Sequence, residues 1–179
     1  MIETLTTLVR LVDRLNDTIG RFVAWLTLGT ALICFLTVYL RYVLNFGFIW
    51  LQELYVAEHA IVFMIGAGYT LLYGGHVRVD IFYARMSARR KAWVDLVGTL
   101  VFMAPFLVVV WIYSLPFVRA SWSIFEPSSQ PGGMDGVFIL KSGLLLFCAL
   151  VGLQAVAMVA RCSLVIAGRE EFARSGQEH

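Results

Sequence analysis

Charged residues are scarce in this 179-residue chain, and four long stretches contain almost none of them. They make up 15% of the sequence, whereas hydrophobic residues make up 60%. A soluble domain carries about 25% charged residues. The composition therefore excludes an ordinary water-soluble protein. The clustering of the apolar residues in long runs indicates an integral membrane protein.

Cysteines, histidines and catalytic motifs are also few. The three cysteines are Cys34, Cys148 and Cys162. None falls in an expected external loop, so no structural disulfide is predicted. The sequence has no phosphate-binding glycine loop, no HExxH, no CxxC and no nucleophile elbow. We therefore predict that the chain is not an enzyme and has neither a cofactor nor a metal site.

Histidine spacing argues against haem in particular. The three histidines are His59, His76 and His179. A membrane four-helix bundle that binds b-type haem needs two axial ligands at matching depth on facing helices. His59 and His76 belong to one continuous run and lie about 25 Å apart along a helix. Paired haem ligation is therefore excluded.

Four apolar runs are each long enough to cross a bilayer, which needs roughly 20 helical residues. They extend from Phe22 to Leu40, from Trp50 to Tyr73, from Leu96 to Val118 and from Ser142 to Ala160. Apolar and polar residues do not alternate within them, so the runs predict helices rather than barrel strands. No small-x-small cleavage site follows the first run, so we expect it to be a retained span rather than a signal peptide.

The predicted fold is all-α, a single membrane domain over residues 1–179 with four transmembrane helices. The expected spans cover residues 22–42, 49–73, 92–118 and 137–163, with an external loop at 119–136 and a tail at 164–179. Two further segments, 4–20 and 76–91, have the amphipathic pattern of helices that lie in the headgroup region. For the first segment, the alternative is a cytosolic helix that packs against loop residues.

Basic residues predict the orientation of these spans. Of the 14, three precede the first run, five lie between the second and third, and three follow the fourth. Arg41, Arg119 and Lys141 are the ones expected on the opposite side. The positive-inside rule therefore places both termini and the middle loop in the cytoplasm. The small net charge of +2 reflects this topology and does not indicate nucleic-acid binding.

Polar residues inside the second run are candidates for function because they are costly in a bilayer. They are Gln52, Glu53, Glu58 and His59. Glu58 and His59 could form a proton or ion site, or they could pair with polar groups of another subunit. We expect Glu53 to pair with Arg41 or with a partner subunit. Pro105 in the third run predicts a kink, which either shapes an interface or is simply accommodated.

Two motifs flank the second run and are more specific. Asn45-Phe46-Gly47-Phe48-Ile49-Trp50-Leu51-Gln52-Glu53-Leu54 opens it, and Gly75-His76-Val77-Arg78-Val79-Asp80 closes it. With four spans, this pattern resembles the DctQ-like small membrane subunit of tripartite ATP-independent periplasmic (TRAP) transporters. The resemblance extends over roughly residues 10–165. It departs from the family at Gln52, where an acid is common.

The resemblance implies a division of labour between three proteins. A periplasmic binding protein captures an organic acid, and a large membrane subunit moves it together with sodium. The small subunit is then a scaffold in the bacterial inner membrane, in contact with lipids, the large subunit and, transiently, the binding protein. The candidate interface or structural residues are Trp50, Gln52, Glu53, Glu58, His59, His76, Arg78 and Asp80.

Two other classes of function stay open on the sequence. One is the membrane anchor of a redox enzyme complex, which the lack of paired histidines disfavours. The other is a small channel or transporter that works alone. That class would require transport activity without a partner.

Overall fold

The computed structural model describes residues 2–75, 83, 85–169 and 172. Its α-helices are α1 (Ile2–Tyr42), α2 (Ile49–Leu72), α3 (Ala88–Gly98), α4 (Ala104–Ser123) and α5 (Val137–Ile166). A π-helical turn, Thr99–Met103, joins α3 to α4, so Ala88–Ser123 is one helical stretch. Within the described ranges, four stretches are long and apolar enough to cross a membrane. The predicted all-α membrane fold is confirmed.

Helix α1 runs without a break through 41 residues, which is about 60 Å at 1.5 Å per residue. The separate amphipathic helix expected at 4–20 is therefore not confirmed. The buried apolar side chains of this segment, Val9 and Val12, pack on Ala157 and Ala160 of α5. Leu11, by contrast, is 66% exposed. This part of α1 packs on another helix of the protein. Half of the expected 76–91 segment lies outside the described residues, and its last four residues belong to α3.

The C-terminus of α2 is formed by the Gly74-Gly75 pair. The N–H of Gly75 donates to the carbonyl of Thr70 at 2.9 Å, and the N–H of Gly74 donates to the carbonyl of Leu71 at 3.2 Å. This pattern is a Schellman motif, in which the residue just after the helix takes a left-handed conformation. Gly74 has that conformation, with φ of 64°. The pair therefore ends the span.

Pro105 lies two residues after the end of the π-helical turn. In that turn the N–H of Ala104 donates to the carbonyl of Thr99, five residues earlier. A proline inside a helix lacks the donor for the carbonyl four residues before it and also clashes with that carbonyl. Wider π-type turns are one of the ways in which helices absorb such a defect. The proline is thus accommodated by a local change of helical period.

The chain divides into two compact units. Unit 1 consists of Met1–Thr18, Ala67–Val110 and Cys148–His179, and unit 2 consists of Ile19–Gly66 and Trp111–Phe147. Helix α5 is the most buried span: in its apolar 18-residue stretch 44% is buried, against 6% in α1. All three cysteines are free thiols. In unit 1, Ala92 of α3 packs with Cys162 and Val165 of α5.

Candidate functional site

Glu53 lies in the second turn of α2, and its carboxylate binds the loop between α4 and α5. Oε1 accepts a hydrogen bond from the hydroxyl of Ser128, and Oε2 accepts one from the backbone N–H of Met134 at 2.7 Å. Hydrogen bonds to an ionised carboxylate are about twice as strong as neutral ones. The expectation that Glu53 pairs with Arg41 is wrong, because the loop supplies both donors.

The loop that Glu53 holds is a small hairpin. Pro127 and Asp135 form an antiparallel bridge, and the N–H of Ser128 donates to the carbonyl of Met134 at 3.1 Å. A Cβ at Gly133 would lie 2.5 Å from the Ser128 hydroxyl and 2.7 Å from the Glu53 carboxylate. Only glycine leaves room for this approach. We call Glu53, Ser128, Gly133 and Met134 the Glu53 cluster.

An ion pair and an aromatic group also fix this loop to α5. Lys141 pairs with Glu126, and its ammonium lies 4.1 Å from the centre of the Phe117 ring. The hydrogen bond from Lys141 holds the pKa of Glu126 below its usual value. The indole N–H of Trp122 donates to the hydroxyl of Ser142 at 2.8 Å. The loop is therefore attached to α5 near its start and to α2 on both sides of its tip.

A second polar cluster lies in unit 1 and joins α1 to α5. Asn16 donates to the side-chain carbonyl of Gln154 at 2.8 Å, and Gln154 donates to Asp13 at 2.9 Å. Arg161 forms an ion pair with the other oxygen of Asp13. Asn16 and Gln154 are each only 1% exposed. We call Asp13, Asn16, Gln154 and Arg161 the Asp13 cluster.

The sequence analysis missed the Asp13 cluster. Its signal was present in α1, where Asp13 and Asn16 share a helical face with Val9 and Val12, three and four residues apart. A second signal was Gln154, an amide within an otherwise apolar run. Polar groups that are buried together need hydrogen bonds to one another. The sequence does not show that α1 and α5 meet, so it could not identify these residues as partners.

Glu58 and His59 point in different directions from α2. A Glu58 carboxylate oxygen lies 2.6 Å from where a Cβ on Gly29 would be, so the glycine of α1 makes room for it. The other oxygen is buried and has no hydrogen-bond partner among the described residues. His59 is exposed. The two side chains are therefore not brought together as a relay.

The remaining candidate residues lie at the ends of α2. Trp50 is 46% exposed, as an anchor at a membrane surface would be. Gln52 is exposed and, with Arg41, lines an apolar cleft of about 220 Å³. His76, Arg78 and Asp80 lie outside the described residues. In the part of the chain that the structure describes, no group of three or more His, Cys, Asp or Glu residues could hold a metal ion.

The family comparison decides what these clusters belong to. The model of the tripartite ATP-independent periplasmic transporters, DctQ component, matches residues 30–164. The chain belongs to the DctQ family. It is therefore a small membrane component of a TRAP transporter, as the resemblance of the α2 motifs predicted. Neither the comparison with curated proteins nor that with solved structures gives a match.

The two clusters differ in how they relate to the DctQ match. All of the Glu53 cluster lies within residues 30–164. Of the Asp13 cluster, Gln154 and Arg161 lie within the match, whereas Asp13 and Asn16 precede it. The DctQ region therefore contains the complete attachment of the loop but only the α5 half of the α1–α5 network.

Proposed function

We propose that this DctQ component is a non-catalytic scaffold subunit. In this role it works with a large permease subunit and a periplasmic substrate-binding protein, which together take up an organic acid coupled to a sodium gradient. Family membership supports the assignment to a tripartite system. Sodium coupling and the organic acid are what the resemblance to the family implies.

The observation that carries the scaffold role is the use of Glu53. A carboxylate that served ions inside a transport path would have to exchange its partners. Here both of its oxygens are engaged by the α4–α5 loop. Transport sites of many secondary carriers are built from broken helices in paired repeats. Among the described spans, no helix is broken in this way, although the third contains the π-helical turn Thr99–Met103 and Pro116.

The attached loop suggests how the scaffold meets the binding protein. Positive-inside reasoning places this loop in the periplasm. The loop presents exposed residues at its tip, Ser129, Gln130, Pro131 and Gly132. Because Glu53 holds both sides of the tip, and Lys141 and Trp122 hold the base of the loop, a docking protein meets a preorganised surface and orders little chain on binding.

Reconstitution tests the proposed role. In proteoliposomes with a sodium gradient, this chain alone should take up no organic acid, and uptake should appear with the large subunit and the binding protein. Glu53→Gln in the complete system separates the two roles, because Gln retains hydrogen bonding but no charge. Full assembly with abolished uptake in Glu53→Gln would place Glu53 in the ion path. Uptake by the lone chain would refute the scaffold role outright.

Orientation is tested by labelling single cysteines in a background without the native ones. Ser129 and Ser87 are both exposed and lie in segments for which opposite sides are proposed. A membrane-impermeant thiol reagent should label Ser129→Cys in spheroplasts and should reach Ser87→Cys only after lysis. The reverse pattern would overturn the cytoplasmic location of the termini.

A further inference from the structure

One face of α2 has an unusual composition for a surface in contact with lipid. Its residues recur at alternating spacings of four and three, the spacing of a helix that packs along another helix. We call it the His59 face, and it consists of Gln52, Val56, His59, Phe63 and Gly66. Val56 is 54% exposed and Phe63 is 75% exposed. Gln52 and His59 are exposed as well.

The imidazole of His59 lies deep in the span. It is the eleventh of the 24 residues of α2, about 15 Å along the helix from its start. A hydrocarbon core is about 30 Å thick, so this position is near the middle of the bilayer. Within the described part of the chain, His59 has no hydrogen-bond or ion-pair partner. Lipid tails offer it none, and ionisable groups at this depth face protein.

Other exposed faces do not share this property. The exposed side of α1 carries large apolar side chains, among them Phe22, Trp25, Leu32 and Phe35. The exposed side of the α3–α4 stretch is similar, with Phe102, Phe106 and Ile112. Such apolar surfaces can contact lipid acyl chains without leaving a polar group unpaired. Within the apolar runs of the described spans, His59 is the exposed residue that carries an imidazole, a carboxylate, an ammonium or a guanidinium group.

We propose that the His59 face packs against a transmembrane helix of the large membrane subunit, and that this helix presents a polar group to the imidazole. The inference rests on the proposed function, which supplies a large membrane partner. The complementarity is chemical: an imidazole donates and accepts hydrogen bonds, so it fits a hydroxyl, an amide or a carboxylate. Interhelical contacts of this kind are a usual source of cohesion in membranes.

The dimensions of the face fit one helix. From Gln52 to Gly66 it extends over 14 residue steps, about 21 Å. A Cβ added at Gly66 would meet open space, so a neighbouring backbone can approach closely there. A second copy of this chain is less suitable as the occupant. A two-fold axis would set His59 against the same side chain and Phe63 against Phe63, with no small residue opposite a large one.

Photo-crosslinking of the assembled transporter tests the location. Benzoylphenylalanine in place of Phe63 should give an adduct with the large subunit. Phe102 is a matched control, because it is also 75% exposed, and Phe35 on α1 is a second control at 69%. Both should give no such adduct. Adducts of Phe63 with a second copy of this chain, or with lipid alone, would overturn the proposed partner although the complex still forms.

Substitution of His59 tests the chemistry. His59→Leu should raise the dissociation constant for the large subunit in proteoliposomes about threefold, the effect of an average interhelical hydrogen bond. His59→Asn should recover part of the loss, and Thr27→Leu on the exposed surface of α1 should change nothing. An unchanged constant in His59→Leu would refute a polar contact. If the unsubstituted chain forms no complex with the large subunit, the proposed function itself fails.

Discussion

The Asp13 cluster joins side chains of α1 to side chains of α5, whereas the Glu53 cluster joins a side chain of α2 to a loop. In the first, two amides are almost completely buried and one ion pair neutralises the acid. In the second, a single carboxylate accepts bonds from a hydroxyl and a backbone N–H. The hydrogen bonds of the Asp13 cluster require complementary side chains on both helices. The second needs one acid, a hydroxyl and a tight turn.

This difference separates helix packing from loop positioning. If the Asp13 cluster holds the helices together, its loss should lower the stability of the whole chain. If the Glu53 cluster holds a docking loop, its loss should release that loop while the helices remain packed. Substitutions that affect one property and not the other test this separation.

The largest effect is expected from Arg161→Leu, which leaves Asp13 without its cation. Removing one partner of a buried ion pair costs about 3–5 kcal/mol of folding free energy. Because both of these side chains are partly exposed, we expect a loss at the lower end of that range, about 3 kcal/mol. For a chain of this size the unfolding midpoint should fall by about 6–12 °C. Thermal unfolding in detergent measures it, and Arg90→Leu, at an exposed position, is the control.

A second substitution checks the cause of that loss. The double variant Asp13→Leu with Arg161→Leu removes both charges. Its unfolding midpoint should be higher than that of Arg161→Leu alone, because no unpaired charge then remains in the packed region. A double variant that is less stable than Arg161→Leu would mean that the pair stabilises the helices by some other contact.

The next largest effect is expected from Gly133→Val in the Glu53 cluster. The added side chain would start 2.5 Å from the Ser128 hydroxyl, so the hairpin must move away from α2. Overpacking of this kind costs about 1–3 kcal/mol. Faster chymotrypsin cleavage at Phe125 should report the opening while the unfolding midpoint changes little. Gly47→Val is the control, since a Cβ there meets open space.

A smaller, graded effect is expected at Glu53. Glu53→Leu removes both hydrogen bonds to the loop, whereas Glu53→Gln retains one acceptor and should release the loop less. Cleavage at Phe125 should therefore be slowest in the unsubstituted chain, faster in Glu53→Gln and fastest in Glu53→Leu. Equal cleavage in the two variants would show that hydrogen bonding by Glu53 does not position the loop.

The smallest effect should depend on pH and involves Glu126. Its pKa is lowered by Lys141, so the ion pair contributes stability above the ordinary pKa of a glutamate and loses it as the pH falls through the lowered value. The unfolding midpoint of Glu126→Gln should lie slightly below that of the unsubstituted chain at neutral pH. The two should converge in strongly acidic solution. A difference that grew with acidity would contradict this assignment.

The spans and the family could be predicted from the sequence, because both depend on signals that are local. Uncharged runs determine the helices, and the motifs around Trp50 and His76 identify the family. The partner of Glu53 could not be predicted, since Ser128 and Met134 are distant in sequence and their donors are a hydroxyl and a backbone group. The continuity of α1 past Gly20 was missed because amphipathic spacing alone does not distinguish a lipid surface from another helix.

The Glu53 cluster also has a consequence for biosynthesis. Its donors follow Glu53 by 75 and 81 residues, so both are synthesised well after α2. At about 5–20 residues per second, the carboxylate waits on the order of 4–16 s for Met134 to be made. During that interval its position one turn inside α2 lets it reach interfacial water. An acid near the end of the span therefore costs less before its partners are made than an acid at the middle of the span would.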